Sequence, residues 1–246
     1  MKRFITGPSK GLSAACLSRG NATHTVFNQS TPLVDFNLFE SDPALKQYMK
    51  SRCSTEEIDG LIAFGDQAGS REIMDSADLA EKNRPTLRQF DQYGNRIDVV
   101  DYHRSYHELM DFATWHGLSA DGFRGNRPGS HLLRSAKAYL ENQLEPGHMC
   151  PVTMTCAAIP VLQRNPGMES VVEKIFNKAY DERNLPMEEK SGVTIGMSMT
   201  EKQGGSDVRA NTTIARPERL GATGPGEAYL LNGHKVFCAD AGLGWG

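Results

Sequence analysis

From Ser41 to about Pro186 the apolar residues return every three or four positions, the period of an α-helix with one buried face. Ser54–Glu57 reads Ser-Thr-Glu-Glu, the form of a capping box. Ile58, Leu61, Ile62 and Phe64 follow it, so a helix is predicted to start there with those residues inward. Tyr106, Leu109, Met110 and Ala113 mark a second helix, and Leu132, Leu133, Ala136, Leu140 and Leu144 a third, with Ser130 as its expected N-cap. Cys150–Ile159 is almost uncharged, with Pro151 where a first-turn proline is tolerated. It predicts a helix buried on most sides. Val171, Val172, Ile175, Phe176 and Ala179 predict one more amphipathic helix.

Around Ser191 the period changes to two. Val193, Ile195, Met197 and Met199 alternate with Thr194, Gly196, Ser198 and Thr200, the pattern of a strand with one buried face. Gly94-Asn95, within Phe90–Asp98, marks a turn or short hairpin between helices. Asn232-Gly233, within Tyr229–Phe237, predicts a second hairpin. The expected fold class is therefore α+β: a helical domain over 35–190, followed over 191–246 by the first strands of an incomplete antiparallel β domain whose apolar face needs a cover.

Composition narrows the partners. With 246 residues, 39% hydrophobic and 23% charged, the chain is long enough for a substantial core. A net charge of -3 offers no electrostatic case for nucleic acid or an anionic membrane. No run approaches the roughly 18 apolar residues of a membrane span. The five cysteines, Cys16, Cys53, Cys150, Cys156 and Cys238, are odd in number and lack a C-x-x-C pair, which argues for a reducing compartment and against disulfides or structural zinc. Residues 1–34 contain no Asp or Glu and carry Lys2, Arg3, Lys10 and Arg19. They read either as a mitochondrial transit peptide or as a disordered tail, the latter leaving a cytoplasmic protein.

Candidate chemistry concentrates at Met197–Val208, Met-Ser-Met-Thr-Glu-Lys-Gln-Gly-Gly-Ser-Asp-Val. Hydroxyls at Thr200 and Ser206 flank the Gly204-Gly205 pair, and successive free N–H groups beside a serine can hold a phosphate. Taken alone, a glycine pair is far more often an ordinary loop, and neither a Rossmann nor a P-loop signature occurs in the chain. His103 and His107, at i and i+4, have the spacing of paired metal ligands but also of packed helix histidines. No metal site is assigned, because no third ligand lies near. Trp115-His116 reads as packing, and Cys156 as an inert buried thiol.

The whole string resembles the flavin-binding signature of the acyl-CoA dehydrogenase family, and its Lys-Gln-Gly version resembles the AidB branch. Thr23–Gln29, the Asp91–Asp98 turn, Tyr102–Met110 and Cys150–Thr155 have counterparts there too, so the resemblance runs from about Thr23 to Cys238. It implies a helical N-terminal domain, a small β domain and a C-terminal four-helix bundle, with FAD between the last two. The cofactor-binding set it implies is Met197, Met199, Thr200, Gly205, Ser206, Phe237, Cys238 and Ala239. Within that set Met199 and Thr200 address the flavin ring, Ser206 the diphosphate, and Ala239 stands where Ser or Thr is usual. Met154 and Thr155 fall near the acyl pocket.

The implied partner is acyl-CoA, in relatives that are expected to be homo-oligomers. The family's catalytic carboxylate belongs to the bundle, so no catalytic residue is assigned. Glu201 belongs to the flavin motif and is not taken as the base. After Ala239 the sequence leaves the family pattern. Three readings follow: part of a flavin-dependent acyl-CoA dehydrogenase, a non-catalytic acyl-CoA-binding or scaffold protein, or a truncated product without independent activity.

Overall fold

Helix follows helix from Leu38 to Phe176, interrupted by one two-stranded hairpin, and two further short strands come afterwards. The computed structural model describes residues 25–125, 127–224 and 226–238. The transit-peptide reading of the N-terminus and the flavin contact of Ala239 therefore fall largely or wholly on residues outside the described ones. Residues 25–33 belong to a separate unit and form neither helix nor strand, with Val26 and Phe27 exposed.

The second unit opens with α1 (Leu38–Ser41) and α2 (Pro43–Lys50), where the Asp42 carboxylate caps the proline-led turn through the Leu45 N–H. Helix α3 (Thr55–Ala68) carries the expected capping box. Glu57 N–H donates to Ser54 Oγ at 3.3 Å and Ser54 N–H to Glu57 Oε2 at 2.8 Å. Ile58, Leu61 and Phe64 face inward as their spacing requires. Helix α4 (Arg71–Lys82) packs against α5 (Arg104–Trp115). Between them strands β1 (Thr86–Phe90) and β2 (Arg96–Asp101) pair antiparallel, Thr86 opposite Asp101. The Asp91 carboxylate closes the turn by accepting the N–H groups of Tyr93 and Asn95 at 2.8 and 2.9 Å.

Helices α6 (Ser130–Glu141), α7 (Met149–Leu162) and α8 (Glu169–Phe176) complete the layer. Ser130 is not the cap. Gly129 holds that position, because the Ser130 hydroxyl is drawn away to donate to Gly122 O at 2.9 Å. Ala179 lies beyond the end of α8. The principal core joins α1, α2, α3, α5, α6 and α7 through Phe39, Met49, Leu61, Phe64, Met110, Leu140 and Val152. A smaller core of Ala120, Ile159, Val171 and Ile175 draws in Val193 and Ile195 from the following segment.

The junction of α6 and α7 buries charge. His148 is shut off from solvent between Glu141 Oε1, 2.9 Å from Nε2, and Glu145 Oε2, 3.0 Å from Nδ1. Burial alone lowers a histidine, but the two carboxylates outweigh it and raise His148 to about 9, while its hydrogen bond holds Glu145 at about 2. Glu141 moves the other way: burial raises it, and one of its oxygens has no partner.

Beyond α8 the expected strand over Val193–Met199 is only partly realised. The segment is extended but joins no named strand, and Met197 and Met199 are exposed where the alternation called for burial. Only Val193 and Ile195 reach a core, because the helices end there and leave the later alternate residues with nothing described to pack on. Strands β3 (Ile214–Pro217) and β4 (Tyr229–Asn232) pair antiparallel, Ile214 opposite Asn232.

The Asn232-Gly233 hairpin is not formed. The arm after Gly233 crosses to the Thr200–Lys202 segment, where Lys202 N–H donates to His234 O at 3.0 Å and Val236 N–H to Thr200 O at 2.9 Å. Gly233 is needed for clearance, since a Cβ there would lie 2.1 Å from Thr213 Oγ1. The architecture is α+β: among the described residues, a helical layer with two short-stranded antiparallel ribbons, one set between helices and one after them.

Candidate functional site

The Met197–Val208 stretch forms a tight turn held from behind by one buried side chain. Glu201 is 1% exposed and collects donors from three directions: Thr212 N–H at 2.7 Å, Thr213 N–H at 2.9 Å and Lys235 Nζ at 3.1 Å, with Thr212 Oγ1 and Gln203 Nε2 also bonding it. These hydrogen bonds, led by that from the Thr212 backbone, hold its carboxyl well below the usual carboxylate range. Glu201 and Gly204 exchange backbone hydrogen bonds across the turn, and Glu201 also bridges to Lys235.

What this turn leaves unpaired is a set of donors. The carbonyl of Met199 accepts from Asn211 Nδ2 at 2.9 Å and Lys235 Nζ at 3.3 Å, and that of Thr200 accepts from Val236. The N–H groups of Met199, Thr200, Gly205 and Ser206 donate to no acceptor among the described residues. Gly205 passes close to the Thr200 side chain, where a Cβ would meet Cγ2 at 2.8 Å and Oγ1 at 3.1 Å. Ser206 is exposed, and Asp207 turns its carboxylate back onto the Arg209 N–H at 3.3 Å. Four backbone donors and two hydroxyls along one short loop suit an acceptor-rich ligand such as a flavin edge and its diphosphate. The residues present therefore fit FAD by the chemistry of their donors.

The remaining expected flavin neighbours lie at the end of the described chain. Phe237 has positive φ (53°) and is 85% exposed, a conformation unusual for an aromatic residue, and Cys238 is exposed beside it. Met199 and Phe237 thus stand on the two arms that cross at Thr200–Val236.

Of the substrate candidates, Met154 and Thr155 are both buried in α7. Met154 lines an open groove of about 620 Å³ together with Met149, Tyr139 and Met197. Thr155 does not line that groove; its hydroxyl accepts the Ile195 N–H at 2.9 Å and joins the helical layer to the extended segment.

His103 and His107 play separate parts. His103 precedes α5 and caps it by accepting the Ser105 N–H at 3.3 Å, whereas His107 sits within the helix with Nδ1 2.9 Å from the Tyr180 hydroxyl. Trp115 is exposed, and His116 packs edge-on to Phe64. Burial raises the Cys156 thiol, in keeping with an inert side chain. Sequence reasoning missed the roles of Glu201 and His148. The acidic i−3 and i−7 neighbours of His148 were the available signal for the second, whereas the donors of Glu201 lie 2 to 34 residues away with no local pattern.

The comparisons with known proteins agree with one another. The family model described as the adaptive response protein AidB N-terminal domain matches residues 28–182. Among curated proteins, "Putative acyl-CoA dehydrogenase AidB" of Escherichia coli (strain K12) is 40% identical over 87% of this chain and 39% of its own length. Acyl-CoA dehydrogenase family member 11 of Caenorhabditis elegans is 26% identical over 86% of this chain and 34% of its own. The chain thus spans under two-fifths of either relative. Among solved structures, the apo form of Bd2924 aligns with TM-score 0.69 at 26% identity, covering 85% of this chain and 41% of that one. Caenorhabditis elegans ACDH-11 in complex with C11-CoA aligns with TM-score 0.69 at 22% identity, covering 89% and 37%.

Proposed function

Because the chain belongs to the AidB branch of the acyl-CoA dehydrogenase family, we propose that it supplies the helical layer and one wall of the FAD site of a flavin-dependent, acyl-CoA dehydrogenase-like oxidoreductase. The observation that carries this reading is the Glu201-pinned turn, whose N–H groups at Met199, Thr200, Gly205 and Ser206 donate to no acceptor among the described residues. In this reading residues 35–190 are the helical domain and 191–246 the opening of the β domain.

FAD, when bound, supplies a hydride acceptor for oxidation of an acyl-CoA thioester. The chain's own residues position and polarise. The Met199 and Thr200 N–H groups and the Thr200 hydroxyl would supply donors to the ring, and fixed donors stabilise developing negative charge without reorganising. Gly205 and Ser206 would hold the diphosphate, and Phe237 and Cys238 would lie on the flavin side of the site. Met197 closes the groove beside Met154, in which an acyl chain would lie. The C11-CoA bound by ACDH-11 supports an acyl-CoA as the ligand class.

Titration of the purified chain with FAD, followed by flavin fluorescence, tests the reading: saturable quenching is expected, and an unchanged signal overturns it for this chain. Ser206→Ala is expected to weaken FAD binding by about 1.5–3 kcal/mol, the range for a hydrogen bond to a charged group, measured in the same titration.

A second reading, acyl-CoA binding without redox chemistry, rests on the Met-lined groove. Calorimetric titration with acyl-CoA in the absence of flavin separates the two, since heat without FAD quenching favours binding alone. No described helix is long and apolar enough to cross a membrane. The mitochondrial reading of residues 1–34 is not carried forward, because the relative at 40% identity is bacterial.

A further inference from the structure

A recess of about 300 Å³ lies between α3 and α6, walled in part by Leu61, His116, Leu133, Arg134 and Lys137. It shares no residue with the Thr200–Ser206 turn. Its volume stands at the lower end of the roughly 300–1,000 Å³ typical of small-molecule pockets.

The charges of this recess do not balance where they are deepest. Arg134 and Lys137 project from the same face of α6, three residues apart. Arg134 Nε donates to Leu118 O at 2.8 Å and Lys137 Nζ to His116 O at 3.2 Å, both neutral carbonyls, and neither cation makes an ion pair among the described residues. One terminal nitrogen of Arg134 is sealed from solvent with no hydrogen-bond partner.

Among the carboxylates nearby, Glu141 acts on Lys137 through its charge without forming an ion pair with it, and two others are committed elsewhere. Glu57 bonds Arg127 at 2.7 Å and the Ser54 N–H, while Asp121 bonds Arg124 at 3.0 Å and Lys178 at 2.8 Å. Glu56 stands exposed at the rim. Burial lowers His116 to about 4, so it adds no positive charge, and burial also lowers Lys137. Arg134, with a sealed and orphaned N–H group, and Lys137, which has one carbonyl and the Phe64 ring 5.7 Å from its nitrogen, are half-buried cations that are costly unless an anion meets them. A guanidinium beside an ammonium matches the oxygens of a phosphate or carboxylate, and Leu61 and Leu133 offer an apolar wall for a carbon portion.

We propose that the recess between α3 and α6 binds a small organic oxyanion, a phosphate monoester or a carboxylate, gripped by Arg134 and Lys137 with its carbon portion against Leu61 and Leu133. The site stands independently of the flavin reading, and either can fail without the other.

The test is titration of the full chain at low ionic strength with butyl phosphate, butanoate and inorganic phosphate, following backbone amide shifts at Leu118 and Lys137. Saturable shifts with butyl phosphate or butanoate are expected, and the tighter of the two identifies the head group. Lys137→Gln is expected to weaken binding about tenfold, and Lys137→Arg to retain most of it. Arg127→Gln, which alters a cation already paired with Glu57, should change it by less than about twofold. Circular dichroism establishes that each variant is folded. If neither organic anion gives saturable shifts with the unaltered chain, the proposal is overturned without recourse to a variant. Shifts that persist unchanged in folded Lys137→Gln also overturn it, and equal affinity for inorganic phosphate and butyl phosphate removes the assigned carbon contact.

Discussion

Glu141 and Glu201 are both almost completely buried, at 0% and 1% exposure, yet the protein treats them in opposite ways. Glu141, in the helical layer, has one hydrogen-bond partner among the described residues, His148, and one orphaned oxygen, so burial dominates and raises its carboxyl above the usual range. Glu201, in the β segment, is surrounded by backbone N–H groups, hydroxyls and Lys235, and is held firmly ionised. The number and fixity of donors, rather than depth, decide whether a carboxylate can stay charged inside a protein. The helical layer already has apolar packing and carries its charge cluster as an addition. The β segment, whose apolar residues are largely exposed, uses a charge as the hub that its loops converge on.

Four experiments break or sharpen this contrast. The largest effect is expected from His148→Ala, which strands the buried Glu141 and takes one of three donors from the half-buried Glu145. Unfolding by urea should show a loss of about 3–5 kcal/mol, the cost of breaking a buried ion pair by removing one partner.

Deprotonating the same imidazole is milder. His148 is raised from 6.5 to about 9 in the folded chain, so its contribution is fully present below about pH 6.5 and is lost as pH rises through about 9. Melting temperature should fall across that interval, corresponding to about 2–3 kcal/mol, and His148→Ala should abolish this alkaline slope. Glu201 has the reverse sign. Its carboxyl is lowered from 4.5, so its contribution is present above that value and disappears on acidification.

Gly233→Ala should cost about 1–3 kcal/mol by overpacking against Thr213, read by thermal melting. FAD binding should suffer as well if the crossing of the Val236 arm positions the Thr200 turn. Glu201→Gln is expected to act locally: amide exchange at Thr212 and Thr213 should accelerate about tenfold, as expected for the loss of about one hydrogen bond, with exchange in α3 and α5 unchanged.

The helical layer was the legible half. Capping at Ser54, the inward face of α3 and the buried character of α7 follow from local spacing, because a helix makes its backbone bonds within itself and each pattern is read within a few residues. The β segment resisted because its partners are remote. Asn232-Gly233 carries the composition of a tight hairpin, but the following arm finds its acceptors and donors at Thr200 and Lys202, about thirty residues back. The alternation from Val193 to Met199 identifies extended chain correctly but not its burial, since cover must come from elsewhere in the molecule. The candidate site was legible only through the resemblance of Met197–Val208 to a family signature, since a glycine pair beside hydroxyls is by itself more often a loop. Glu201 as its hub was not, because its donors come from Gln203, Thr212, Thr213 and Lys235, and nothing in their spacing shows that they converge.

The bond from Ile195 N–H to Thr155 Oγ1 joins positions 40 residues apart. Mechanically it is a rivet between two plates. It fixes the angle at which the chain leaves α7's neighbourhood, and so the direction in which Met197, Met199 and Thr200 are presented. Damage at such a point is felt first as misalignment, because the plates keep their strength while the seam between them drifts.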